Sequence, residues 1–98
     1  MPQYPLVPRF GGGLSSLVIS SPTVLKTEPG TLWSVSVITS GTTSGSVNDC
    51  TTSGAATSGN VTVPIPTAVG NGGVVAFPHK TGITVIPGAG QVLSVAYA

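Results

Sequence analysis

From residue 14 onward, apolar and polar side chains alternate with the period of two that strands require. In TLWSVSVITS, residues 31–40, Trp33, Val35 and Val37 fall on one face while Ser34 and Ser36 point away, the pattern of a half-buried strand. Glu28-Pro29-Gly30 ahead of it signals a turn. Upstream, LVIS and TVLK are short strands broken at Pro22, which has no amide hydrogen to give to a ladder. Downstream, NVTVPIPT, GGVVAFPH, GITVI and QVLSVAYA are rich in β-branched residues and separated by Gly or Pro. Pro64 and Pro66 lie on the same side of their strand, which predicts an edge position. Pro87-Gly88-Ala89-Gly90 predicts a hairpin between the last two strands. No capping box precedes an apolar run of helical period, so no helix is expected.

About seven short strands without helices predict an all-β fold, a single antiparallel β-sandwich spanning residues 14–98. The polar stretch GTTSGSVNDCTTSGAATSGN, residues 41–60, fits that scheme as part of the folded domain. Residues 41–45 would turn the chain after the Trp33 strand, SVNDCTT would return antiparallel to it, and residues 53–59 would form the next loop.

Residues 1–13 are set apart as an extended N-terminal arm. Pro2, Pro5 and Pro8 recur every third residue, which in a polyproline II helix aligns them on one face. Tyr4, Leu6, Val7 and Phe10 are apolar groups with no local core to enter, and Gly11, Gly12 and Gly13 supply a joint. The reading is a partner-binding arm whose contacts are Tyr4, Leu6, Val7 and Phe10.

Charge narrows the function classes. Only Arg9, Lys26, Glu28, Asp49 and Lys80 are charged among 98 residues, and the net charge is +1. Three scattered cations cannot neutralise a run of phosphates, so nucleic acid is not an expected partner. With 40% hydrophobic residues and little net charge, the composition is that of a folded chain. No apolar run approaches the roughly 20 residues of a membrane helix, so no membrane partner is expected. FGGGLSSLVIS loosely imitates a signal-peptide core, but prolines stand where a basic region should precede it, and cleavage is not expected. Cys50 is alone, so no internal disulfide can form, and assembly in a reducing cytosol is the simplest reading.

Candidate chemistry is sparse. His79 follows Phe77-Pro78 and has few acids to orient it as a base, so it is read as an exposed polar loop residue. Asn48-Asp49 is read as a pair that shapes a turn or caps a strand end through side-chain bonds to the backbone. Cys50 is read as a small, semi-buried hydrophobe. Trp33 would serve either as a sugar platform or as core, and its alternating strand favours core. Asn60-Val61-Thr62 matches the glycosylation sequon, which chance explains. GGG and GNGG lack the strand, lysine and helix of a phosphate loop. No catalytic residue, metal ligand or cofactor is therefore assigned, and the expected structural core is Trp33, Val35, Val37, Val85, Val95 and Tyr97.

PGTLWSVSVITSGTTSGSVNDCTTSGAATSGN, with FPHKTGITVIPGAGQVLSVAYA, resembles small virion proteins of tailed bacteriophages. In that group a strand of the form G-x-L-x-x-V-x-V leads into G-x-V-x-D, and G-I-x-V-x-x-G-x-G-Q-V-x-V-x-Y closes the chain. The resemblance covers roughly residues 24–98. The positions that match are Leu32, Val35, Val37, Val47, Asp49, Gly82, Ile83, Val85, Gly90, Gln91, Val92, Val95 and Tyr97, all of them scaffold positions. It implies a non-enzymatic capsid decoration, or cement, protein: a β-sandwich made in the host cytoplasm and bound to the virion exterior, often as a homotrimer. Its implied partner is the major capsid protein. A tail or fibre component, or an adhesin module binding a host surface glycan, is the alternative. The arm has no counterpart in the family pattern.

Overall fold

The computed structural model describes residues 14–98, without the side chains of Leu14 and of residues 71–75. The expected arm, with Tyr4, Leu6, Val7 and Phe10, lies outside the described residues. The described residues form eight strands and no α-helix: β1 (Leu14–Ile19), β2 (Thr23–Lys26), β3 (Gly30–Thr39), β4 (Gly45–Asn48), β5 (Val61–Ile65), β6 (Gly70–His79), β7 (Ile83–Ile86) and β8 (Val92–Tyr97). Two four-stranded antiparallel sheets result, ordered β1-β8-β3-β6 and β2-β7-β4-β5. This is the all-β architecture of a β-sandwich.

The core fills the space between the sheets. Ile19, Leu32, Val35, Val37, Leu93 and Val95 come from the first sheet, and Val47, Ile65, Ile83 and Val85 from the second. Leu25, Val63 and Tyr97 pack against this cluster while partly buried. Of the expected core residues, Val35, Val37, Val85 and Val95 are buried and Tyr97 is partly so. Trp33 is different: it is half-buried and outside the cluster, and Leu32 takes the core place instead. The cause is a bulge in β3 against β8, where Leu32 and Ser34 pair with the consecutive residues Tyr97 and Ala96 and Trp33 is the extra residue. An extra residue in a strand advances the alternation by one position. Leu32 and Val35 therefore both face inward, although they stand three residues apart.

Two expected hairpins are absent. β3 pairs with β6 and β8, while β4 belongs to the other sheet, so residues 40–44 cross between sheets. Residues 87–91 also cross, because β7 and β8 lie in different sheets. The two crossings are packed together, which is why glycine is required there. A Cβ on Gly88 would collide with the Thr43 carbonyl, and one on Gly45 would lie 2.6 Å from the Ile86 oxygen. The hairpin that does form joins β4 and β5 through residues 49–60. β5 stands at a sheet edge, as Pro64 requires, and Pro66 lies just beyond its end.

Residues 49–60 contain two single-turn 3₁₀ helices, Ser53–Ala55 and Ser58–Asn60. Asn48 and Thr84 are fully buried beside this segment. The Thr84 hydroxyl donates to the Cys50 carbonyl at 2.9 Å. Asn48 donates from Nδ2 to the Thr57 carbonyl and to Asn60 Oδ1, and accepts from Ser46 at 2.7 Å. Asn60 Nδ2 in turn donates to the Ala55 carbonyl. A sequence almost without apolar groups is held in place by amides that satisfy the backbone of the loop.

Candidate functional site

One end of the sandwich collects every charge among the described residues. Gly30 pairs with His79 and Lys26 with Ile83, while Asn48 pairs with Thr84. Those pairings bring Lys26, the last residue of β2, to the same end as Glu28, Asp49 and Lys80 in the loops. Asp49 binds the β6–β7 turn there: Oδ2 accepts from the Lys80 amide at 2.9 Å, and Oδ1 accepts from the Thr81 amide and hydroxyl, both at 2.8 Å. The Gly82 amide adds a longer bond at 3.3 Å. Partial burial acts to raise the carboxyl pKa, but the amide bonds from Lys80, Thr81 and Gly82, with the Thr81 hydroxyl, outweigh it. Together they hold Asp49 well below the usual carboxylate range. Asp49 thus fastens a turn to the end of β4.

His79 is not an exposed loop residue. It is 3% exposed, at the last position of β6. Nδ1 lies 2.7 Å from the Gly82 carbonyl, and Nε2 lies 2.9 Å from the Thr62 hydroxyl. A carbonyl can only accept, so Nδ1 carries hydrogen and donates to it. With both nitrogens engaged, the ring links β5, β6 and the following turn. Cys50 is buried, and its thiol donates to the Thr52 carbonyl at 3.2 Å. No group of three or more His, Cys, Asp or Glu side chains that could hold a metal is present among the described residues.

The opposite end has no charge in any of its loops, residues 20–22, 40–44, 66–69 and 87–91. It is closed by the main chain and one amide. Fully buried Gln91 donates from Nε2 to the Pro66 carbonyl at 2.7 Å and accepts at Oε1 from the Gly88 amide at 2.9 Å. The Thr42 amide donates to the Ala89 carbonyl, and the Ala89 amide to the Thr43 hydroxyl. Around this end stand exposed apolar residues. Ile19, Leu93, Val37 and Gly70 form one row across the first sheet. Val18, Ile38 and Val69 are each next to a member of that row, 73%, 54% and 63% exposed, and Leu17 beside Val18 is 69% exposed.

Sequence reasoning had placed partner contacts in the arm and had missed this band. Its signal is weak, because Leu17, Val18 and Ile38 lie in strands that read as half-buried, and bulges turn them outward. Asn48, expected to bond the backbone near a turn, does so at the Thr57 carbonyl, whereas the anchoring role of Gln91 was not legible because its Pro66 partner is a main-chain group of a distant loop. No family model matches the chain, and no curated protein or solved structure matches it.

Proposed function

We propose that this chain is a non-enzymatic structural virion protein, a capsid decoration (cement) protein that binds the outside of a phage head and stabilises contacts between major capsid proteins. The observation that carries the reading is the segregation, among the described residues, into a charged end and a charge-free end ringed by Leu17, Val18, Ile38 and Val69. Docking through the uncharged end buries apolar area without stripping water from ions, and the charged end stays in solvent. Weak single contacts suffice on a symmetric shell, because many copies and association into a homotrimer multiply them. Residues 1–13, with Tyr4, Leu6, Val7 and Phe10, add a second anchor in this reading.

The test is co-sedimentation of the full chain with empty capsids, followed by imaging of the particle. Occupancy on the shell, reduced at least tenfold by Ile38→Glu with Val69→Glu and reduced separately by removing residues 1–13, is the expected result. Density confined to the tail, or no density on the particle, rejects the proposal. Because Trp33 is half-buried outside the core, a glycan-binding adhesin or fibre module is the second reading. Binding to a glycan array that is lost in a folded Trp33→Ala chain would favour it.

A further inference from the structure

The bulge at Trp33 shapes a surface that the core does not use. Leu32 and Val35 face inward, so Trp33 and Ser34 stand together opposite Ala96 on the outer face of the first sheet, turned away from the second. Register sets Ser15 and Ser34 on either side of Ala96, and Ser36 beside Ser94. These neighbours are all small and uncharged, so one indole rises from a low, neutral floor. Trp33 is nonetheless half-buried there, and its Nε1 is buried. A face of this kind suits a proline-rich chain, which lays its rings along an aromatic side chain and brings few amide donors that need partners.

We infer that residues 1–13 of this chain fold back over the outer face of their own first sheet, with Pro5, Pro8 and Phe10 against Trp33. The point of attachment favours this occupant. Leu14, Tyr97 and Leu32 form one row across β1, β8 and β3, so Trp33 lies two strand spacings from where the arm joins β1, about 10 Å at about 4.8 Å each. Residues 1–13 in polyproline II form extend to about 40 Å at about 3.1 Å each. A turn at Gly11, Gly12 and Gly13 therefore suffices to bring Phe10 to the indole, and the prolines before it continue across Ser34, Ser36 and Ser94. So short a tether raises the local concentration of the segment to about the millimolar range, ahead of a second copy at ordinary concentrations. The inference concerns the free chain and does not rest on the capsid. Use of the arm as an anchor on a shell then requires its release from Trp33.

Trp33 is the single tryptophan of the chain, so its fluorescence reports the contact directly. The full chain carrying Pro5→Ser, Pro8→Ser and Phe10→Ser should emit at longer wavelength and be quenched more strongly by acrylamide, with its circular dichroism unchanged. In full-length Trp33→Ala, trypsin should cut after Arg9 about tenfold faster than in the unaltered chain, because cleavage follows the population of the open form. The bonds after Lys26 and Lys80 should resist in both chains, which reports an intact sandwich. If Trp33→Ala exposes them as well, the emission of the arm variant decides alone. Emission and quenching unchanged in that variant overturn the inference, and so does equal cleavage at Arg9 in two folded chains. Protection of Trp33 that is lost when the unaltered chain is diluted assigns the contact to the arm of a second copy, and overturns the return of the arm to its own sheet. Shell binding, measured separately, decides the capsid reading without bearing on either result.

Discussion

Asp49 is the residue on which one end of the molecule turns. Three amides and a hydroxyl converge on its carboxylate. Asp49→Asn keeps the shape but loses the charge that strengthens each bond, and a loss of about 1–3 kcal/mol in stability is expected. The pH dependence follows from the direction of the shift. A carboxyl whose pKa is depressed by folding stabilises the folded state above its unfolded pKa of about 3.9 and loses that contribution as pH falls further. Urea unfolding should show a constant gap between the native chain and Asp49→Asn down to about pH 5. Below about pH 4 the gap should narrow, and a gap unchanged down to acid pH would remove the carboxylate from this role. At Ala76, φ 50° disfavours any side chain with a Cβ. Ala76→Gly should raise stability by about 0.5–1 kcal/mol, read from the urea midpoint.

At the scale of elements, loops are held by buried amides more than by apolar anchors. Gln91→Leu conserves volume but leaves the Gly88 amide and the Pro66 carbonyl without their partner. A loss of about 2–4 kcal/mol is expected, since each unsatisfied buried group costs about 1–3 kcal/mol. Asn60→Ala should open the 49–60 segment, which limited proteolysis would detect as new cuts at residues 52–60 while the rest of the domain resists. The same elements show what the sequence made legible. Strand positions were readable because β-branched runs alternate between Gly and Pro signals, and the edge position of β5 was readable from Pro64. The pairing of strands was not. Glycines at 41, 45, 88 and 90 reveal that the chain turns, but a hairpin and a crossing between sheets use the same residues. The Trp33 misplacement has a related cause: a bulge changes the face of every residue beyond it without changing composition. For the site, the turn-fastening role of Asn48-Asp49 was legible from its residue types, whereas the burial of His79 between Thr62 and Gly82 was not, because its partners are far apart in the chain or in a turn. The apolar band was not visible, because it exists only where separate strands meet in register.

At the scale of the molecule, the connectivity leaves few local steps. Among the described residues, eight strands have seven connections, and only the β4–β5 link stays within one sheet. Neither sheet can be built without passing the chain repeatedly to the other. Non-local pairing of this kind slows folding, and refolding in milliseconds to seconds is expected. Stopped-flow fluorescence of Trp33 would measure it, and a microsecond phase accounting for the whole signal would contradict the topology argument. Unfolding should be one cooperative transition with coincident fluorescence and circular dichroism.

The position of β8 has a consequence for biosynthesis. It lies between β1 and β3 at the middle of the first sheet, yet it is the last of the described strands to be synthesised. While a ribosome still holds residues 92–97, β1 has no neighbour among the described strands and the core lacks Leu93 and Val95. The nascent chain therefore cannot close its sandwich in stages. Copies truncated before β8 keep the β3–β6 pair but lack the strand that ties β1 to it, so the first sheet is completed only when residues 92–97 have been added.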